Sequence, residues 1–468
     1  MDIIIVGAGK LGYILADFLS QTENNVVMID NDEKALERAN NQLDILTFKG
    51  NGAQISVLEQ FNIKNTDLLI ATTDNDHSNM LICYLAKKLG CKRVIARIRD
   101  PEYSDQIDIL KKQLDIDYVA NPELEMAKEI TAYLLKGQAL NMEYFAKGKV
   151  SIASYSVNEL DEMENKKIKD IILPKSVLIV AILRDGEIII PNGDTTLQKN
   201  DIIYLIGEKE SISMFRRSGN GLESNTAVKK VMILGGGKAA YYLAKKLIRN
   251  GVFVKIIERN EDRCSYLAQE LPEALIIHGD ATDPYLLTEE NVSEVDALVS
   301  LTGFDEENLL MTLLAKKYGV GKVITKVSRS NYIPIIEQLG INNAVNPVMI
   351  TAGEIMRFIQ GGRVVSLFLL LGGKAEVLEL IAKENSKIVG KPISELGFPK
   401  GIIIGSIVQK GKVIIPNGNS IIFPGDRLIV FCLQSEVATL EKMFYKNKGG
   451  LIDELWDYYK GFRKFTSN

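Results

Sequence analysis

The sequence predicts an α/β protein: two Rossmann-like doubly wound parallel-sheet domains, each followed by a small β-rich α+β domain. Three observations predict it. The 468-residue chain matches itself at an offset near 228 residues. Within each copy, short β-branched runs alternate with amphipathic helical stretches for about 120 residues. The remainder of each copy changes texture to short strands broken by turn residues.

The duplication is read residue by residue. Ile3-Ile4-Ile5-Val6-Gly7-Ala8-Gly9-Lys10 recurs as Val231-Met232-Ile233-Leu234-Gly235-Gly236-Gly237-Lys238, and Asp30 meets Glu258. Ala86-Lys87-Lys88 returns as Ala315-Lys316-Lys317, and Tyr103 as Tyr332. Asn121-Pro122 meets Asn346-Pro347, Pro191-Asn192-Gly193 meets Pro416-Asn417-Gly418, and Asp201 meets Asp426. The offset drifts by only a few residues, as small loop insertions in a duplicated domain pair require. Solenoid units repeat at about 20–50 residues, a far shorter period.

In the first copy the predicted strands are Asp2–Val6, Asn25–Ile29, Ile45–Phe48, Asp67–Thr72, Arg93–Arg97 and Tyr118–Ala120. Near-continuous apolar strands separated by helices mark a parallel sheet covered on both faces. In the small module, Asp185-Gly186 before Ile188–Ile190, and then Asn192-Gly193, predict hairpin turns. The expected domains are 1–135, 136–225, 226–360 and 361–447, with a tail at 448–468 that holds the lone Trp456.

Bulk properties narrow the function. A net charge of −4 with no Lys/Arg-dense stripe excludes phosphate-backbone binding as the main role. The longest apolar runs, Ser176–Leu183 and Val364–Leu371, fall far short of the roughly 18 residues a spanning helix needs. Met1-Asp2-Ile3-Ile4-Ile5 enters a strand at once, so no signal peptide is expected. Cys83, Cys91, Cys264 and Cys432 form no ligand cluster and read as isolated buried thiols of a reducing compartment. These readings place the chain in the cytoplasm, with any membrane role exerted through a partner.

The first copy offers a nucleotide site. Gly7-Ala8-Gly9-Lys10-Leu11-Gly12 follows a strand and opens a helix. Gly7 permits the tight turn, Gly9 admits a pyrophosphate to the backbone, and Gly12 lets helix and strand pack closely. The helix N-terminus supplies unpaired N–H groups and a positive dipole. Asp30, 18 residues past Gly12, is placed to bind ribose hydroxyls and to disfavour a 2′-phosphate. Asn51, Gly52 and Ala53 follow the third strand and are candidates to line an adenine. Thr72, Thr73, Asp74 and Asn75 follow the fourth, near the pyrophosphate or nicotinamide ribose, and Arg97 closes the fifth as a phosphate partner.

The second copy keeps Gly235, Gly237 and Lys238 but puts Ala240 where Gly12 stands. Glu258 replaces Asp30, while Asp280, Ala281 and Thr302 follow the third and fourth strands. Lys326 replaces Arg97, keeping the charge and losing the bidentate fork. This site is expected to be the degraded one.

Catalytic groups are scarce. His77 and His278 are the only histidines, and they align with Glu306 and Lys49. No nucleophile elbow or metal-ligand spacing is found. Tyr84, Tyr241 and Tyr242 sit at helical spacing and read as packing residues. An NAD-dependent oxidoreductase with an unfamiliar active site is the alternative to a non-enzymatic binder. A redox-responsive transcription regulator is a third reading, but it would need a basic recognition helix.

The combination of Ile5–Gly12, Asp30, Ala71-Thr72-Thr73-Asp74-Asn75-Asp76 and Ala96-Arg97-Ile98-Arg99 resembles the RCK (KTN) domains that regulate potassium transport. The small modules, with Pro191–Thr195 and Asp201, then Pro416–Ser420 and Gly425-Asp426, are similar to the C-terminal half of that unit. The resemblance implies a regulatory subunit binding NAD or NADH, with ATP and ADP as further ligands. It also implies assembly of about four chains into a gating ring beneath a membrane-embedded, TrkH-like potassium channel or transporter subunit.

Overall fold

The computed structural model describes residues 1–444 except 22–23, 105, 137–142, 158–159, 161–162, 175, 219–227, 330–331, 333–335, 337–338, 340, 342, 361–363, 371–373 and 385. The predicted tail, with Trp456, lies outside the described residues. The described residues form two compact units, one within 1–140 and 223–352 and the other within 141–222 and from 353 onward.

The first unit holds two six-stranded parallel sheets. In the first, β1 (Asp2–Val6), β2 (Asn25–Asp30), β3 (Leu46–Lys49), β4 (Leu68–Ala71), β5 (Arg93–Arg97) and β6 (Tyr118–Ala120) lie in the order β3-β2-β1-β4-β5-β6. This is the dinucleotide-fold order, in which the sequence of strands reverses between β1 and β4 and opens a crevice at their C-terminal ends. β1 and β4 pair in register, Ile3 with Leu68 through Val6 with Ala71, because both are apolar on both faces and buried.

Later come strands β12 (Lys230–Leu234), β13 (Phe253–Glu258), β14 (Leu275–His278), β15 (Ala297–Ser300), β16 (Lys322–Lys326) and β17 (Ala344–Val345). They repeat the order as β14-β13-β12-β15-β16-β17.

The two sheets of this unit share a core. The helix Pro122–Lys136 of the first copy buries Met126, Ala127, Ile130, Tyr133 and Leu134 in one cluster with Tyr241, Ala244 and Leu247 of the helix Lys238–Ile248. Each large apolar side chain so buried stabilises by about 1.5–3 kcal/mol relative to exposure. Tyr241 and Tyr242 are therefore packing residues, as expected. Tyr84 is at the surface, with the Lys88 ammonium 5.5 Å over its ring.

The second unit holds two five-stranded antiparallel sheets. The first is formed by β7 (Glu143–Phe145), β8 (Val150–Ser156), β9 (Val177–Arg184), β10 (Glu187–Ile189) and β11 (Ile202–Glu208), in the order β10-β9-β11-β8-β7. β18 (Val364–Leu370), β19 (Ala375–Ile381), β20 (Ile402–Gln409), β21 (Lys412–Ile414) and β22 (Arg427–Leu433) mirror it. Asp185 and Gly186 both take positive φ, 52° and 81°, and close the β9–β10 hairpin as the sequence predicts.

Asn192-Gly193 does not form the hairpin turn expected of it. The Asn192 side chain accepts the Asp194 amide at 2.9 Å, and Gly193 is not in the left-handed region, so the segment closes as a local loop after β10. Asn417 repeats this arrangement in the second copy.

Phe145, Ile152 and Ile206 of one small sheet pack with Val377, Ile429 and Phe431 of the other. Polar bonds also run between the two copies, Lys149 to the Gly411 carbonyl at 2.7 Å and Lys374 to the Gly186 carbonyl at 3.1 Å among them. The buried Glu379 accepts the Ala146 amide at 2.9 Å while Arg427 donates to its other oxygen at 2.5 Å. All four cysteines are buried and free.

Candidate functional site

The first cradle is built by β1, the turn Gly7–Gly9 and the helix Lys10–Ser20. Gly7 has φ +112°, which a side chain would resist, and its amide is held by the Ile29 carbonyl at 2.9 Å. A Cβ at Gly12 would stand 1.9 Å from the Gly7 carbonyl oxygen, so only glycine lets the helix sit this close. A Cβ at Gly9 would meet nothing within 4 Å, and Gly9 and Lys10 are exposed. That opening lies at the start of a helix whose first amides have no side-chain cap.

Asp30 ends β2 beside this turn. One carboxylate oxygen accepts the Ala8 amide at 2.5 Å and the other the Asp32 amide at 2.8 Å. A carboxylate has about four lone-pair positions, so roughly two remain for ribose hydroxyls. Asn51 folds its side chain onto the Ala53 amide at 2.9 Å, and Gly52 packs against Val6, so this segment lines the β3 side of the crevice.

The β4 side departs in detail from expectation. Thr72 is buried, and its hydroxyl lies 3.2 Å from the Gly7 carbonyl, bracing the glycine turn rather than facing outward. Thr73 is held by Asn79, amide to Oδ1 at 2.9 Å and hydroxyl to Oδ1 at 2.7 Å. Asn75 caps the helix Asp76–Lys88 by accepting the Ser78 amide, and the Asp74 carbonyl accepts from Arg99. Arg97 stands at the end of β5, where burial and then Arg99 lower its pKa. Its Nε is buried and has no hydrogen-bond partner among the described residues. An anion would satisfy it.

Two residues of this frame were given no role by the sequence reading, although Asp76 closes the motif Ala71–Asp76. Asn79 is fully buried, and its amide nitrogen also donates to the carbonyls of Thr73 and Arg97, tying the ends of β4 and β5 together. Asp76 accepts the amides of Arg99 and Asp100 at 2.9 and 2.8 Å. Both recur in the second copy, as Asn308 and Asp305. That recurrence inside otherwise apolar helix faces was the available signal.

The second cradle reproduces the backbone bonds. Gly235 has φ +93°, and Glu258 accepts the amides of Gly236 and Asn260 at 2.5 and 2.7 Å. Ala240 is fully buried where Gly12 stands.

Its charges are spent differently. Lys326 donates to the Thr302 carbonyl at 2.5 Å, and burial lowers its pKa. The Thr302 amide is held by Asn308 at 2.8 Å. Asp280 accepts from the amide and hydroxyl of Thr282, and Ala281 is buried. Lys238 turns to Asp100 of the first copy at 2.8 Å. Arg263, unforeseen from the sequence, donates Nε to the Gly236 carbonyl at 2.6 Å and stacks 4.5 Å over Tyr266.

His77 Nε2 and the Tyr103 hydroxyl meet at 2.5 Å on the surface. No group of three or more potential metal ligands occurs among the described residues, and none of the described helices is long and apolar enough to cross a membrane.

Fold and cradle define a class: a tandem protein with two dinucleotide-type Rossmann modules, each followed by an antiparallel module. The TrkA-N domain matches residues 3–122 and 231–347, and the TrkA-C domain matches residues 152–218 and 377–445. The Trk system potassium uptake protein TrkA homolog 1 of Methanosarcina mazei is 36% identical over 452 residues, covering 95% of this chain and 100% of the relative. TrkA of Haemophilus influenzae is 34% identical over 454 residues, with 95% and 98% covered. The chain belongs to the TrkA family of Trk-system potassium uptake proteins.

Among solved structures, the GsuK RCK domain superposes with a TM-score of 0.56 at 17% identity, covering 95% of this chain and 94% of that one. The GsuK channel bound to NAD gives 0.55 at 17% identity, with 95% and 78% covered. At this identity the likeness establishes the shared fold.

Proposed function

We propose that the protein is a non-enzymatic, nucleotide-sensing regulatory subunit that gates a TrkH-like potassium channel or transporter from the cytoplasmic face of the membrane. The observation that carries this reading is the first cradle. Its glycine turn is open at Gly9, Asp30 is oriented by two backbone amides, and the buried Arg97 Nε lacks a partner among the described residues. Membership of the TrkA family supplies the potassium context, and the fold relative GsuK has been solved with NAD.

NAD or NADH is the proposed ligand, held through Gly7–Gly12, Asp30, Asn51–Ala53, Thr73, Asp74 and Arg97, with ATP or ADP as competitors for the same cradle. The four expected modules are the working parts, and about four chains form the ring. A ligand shifts such an assembly only by its differential affinity for two ring states, so the oxidised and reduced cofactor must bind them unequally.

Calorimetric titration of NAD, NADH, ATP and ADP into wild type, Asp30→Ala and Glu258→Ala tests the reading. Tight uptake by wild type that Asp30→Ala weakens is the expected result. No uptake at millimolar concentration ends the sensor reading.

A further inference from the structure

The two cradles differ in what stands opposite them. The segment after β5 of the first copy runs along the first turns of the helix Lys238–Ile248 of the second. There the Tyr242 hydroxyl donates to the Arg99 carbonyl at 3.1 Å and accepts from Asn121 at 3.1 Å. This seats the Asp100 carboxylate 2.8 Å from the Lys238 ammonium, with Asp76 behind it at 3.9 Å. Lys238 is the first residue after the second glycine turn, so its ammonium sits where a phosphate would seek a cation.

Burial raises the Asp100 pKa. The Lys238 hydrogen bond, the Glu102 amide and the charges of Lys238 and Arg263 more than offset this, and the net pKa is lowered. Asp100 is therefore an anion at neutral pH, facing two cations of the second cradle. Arg263 also has a buried Nη2 without a partner among the described residues, while its Nε holds the turn at Gly236.

The mirror position of Asp100 in the duplication is Arg329, and that of Lys238 is Lys10. Arg329 bonds to Glu306 and Tyr332 of its own copy. Among the described residues no carboxylate lies within 4.0 Å of Lys10. The first cradle thus keeps an uncompensated cation at its helix start, and the second has its own neutralised.

We propose that Asp100 is a resident anion for the second cradle, holding Lys238 in place of a nucleotide phosphate, so that this cradle fills only when Asp100 is displaced. The inference rests on the reading of the first cradle as a nucleotide site and assigns its regulation. Asp100 follows Arg97 by three residues, so displacing it moves the segment that ends in the phosphate partner of the first site. The two cradles are coupled through one short stretch of backbone, and the first fills first.

The test is stoichiometry on the full chain, by calorimetric titration with ATP and with NADH. Wild type binds one nucleotide per chain. Asp100→Asn, and Asp100→Ser should asparagine keep the Lys238 hydrogen bond, bind two. Gly12→Val combined with Asp100→Ser binds one, now sensitive to Lys238→Gln. Wild type binding two, or both Asp100 variants binding one, overturns this inference and leaves the first-cradle reading intact. Wild type binding none overturns that reading and this inference with it.

Discussion

The two glycine cradles are the same backbone with opposite charge economies. In both, an acidic residue ending the second strand accepts the amide of the second turn residue at 2.5 Å, and a buried asparagine ties the fourth strand to the fifth. In the first, Arg97 has an unpartnered Nε and Lys10 is exposed. In the second, Lys326 and Lys238 are turned onto protein oxygens, and Arg263 donates Nε to the Gly236 carbonyl while its buried Nη2 has no partner among the described residues. The difference teaches that duplication preserves main-chain geometry easily, because glycine φ and strand register are local, while the cations around the cradle take different partners in each copy.

The comparison breaks most visibly at Gly12. Gly12→Val should abolish binding at the first cradle, lowering NADH affinity by more than about 100-fold, since a side chain cannot enter where the Gly7 oxygen already sits. Thermal melts of the same samples check that the fold survives, and affinity within tenfold of wild type would show the turn can be rebuilt.

Asp30→Ala should cost about 10–100-fold, the worth of hydrogen bonds to a charged acceptor. Glu258→Ala should change total nucleotide uptake little, and equal losses for the two substitutions would erase the claimed asymmetry.

A comparison of the small modules gives the third prediction. Glu376 of β19 is buried where the first copy has Ser151. Burial, reinforced by Glu441, pushes its carboxyl from the usual range up to about 8. The folded state thus holds this proton more tightly than the unfolded chain. Its contribution is fully present below about pH 4.5 and is lost as pH rises toward 8, at no more than about 1.4 kcal/mol per pH unit. Melting temperatures from pH 5 to 9 should fall more steeply for wild type than for Glu376→Gln, and parallel curves would remove Glu376 from the account.

Smallest is Arg97→Lys, which imports the second copy's solution. A lysine there can fold onto the Thr73 carbonyl as Lys326 does onto Thr302, so NADH affinity should drop only several-fold. An unchanged affinity would show that the guanidinium fork is not used.

Much of this was legible in the sequence because its causes are local. β1, β5 and β6 begin and end where the apolar runs do, and β2, β3 and β4 differ from the reading by a residue at one or both ends. Gly7 and Gly12 declare their backbone needs by identity. Asn192-Gly193 misled because the same dipeptide serves two turn types, and the Asn192 side chain selects between them. The partner of Lys238 was hidden for a different reason. Lys238 aligns with Lys10, and alignment passes on position but not the carboxylate that the other copy brings up in space. Thr72 lies where expected, but its hydroxyl serves the turn.

The bond from Glu379 to the Ala146 amide makes the pairing of the small sheets directional. At the mirror position of Glu379 the first copy has Ser154, and at that of Arg427 it has Ile202. Two first halves could not form this contact, since neither carries the carboxylate or the guanidinium, so the second copy alone supplies the polar clamp and the pairing of the two sheets has a built-in polarity.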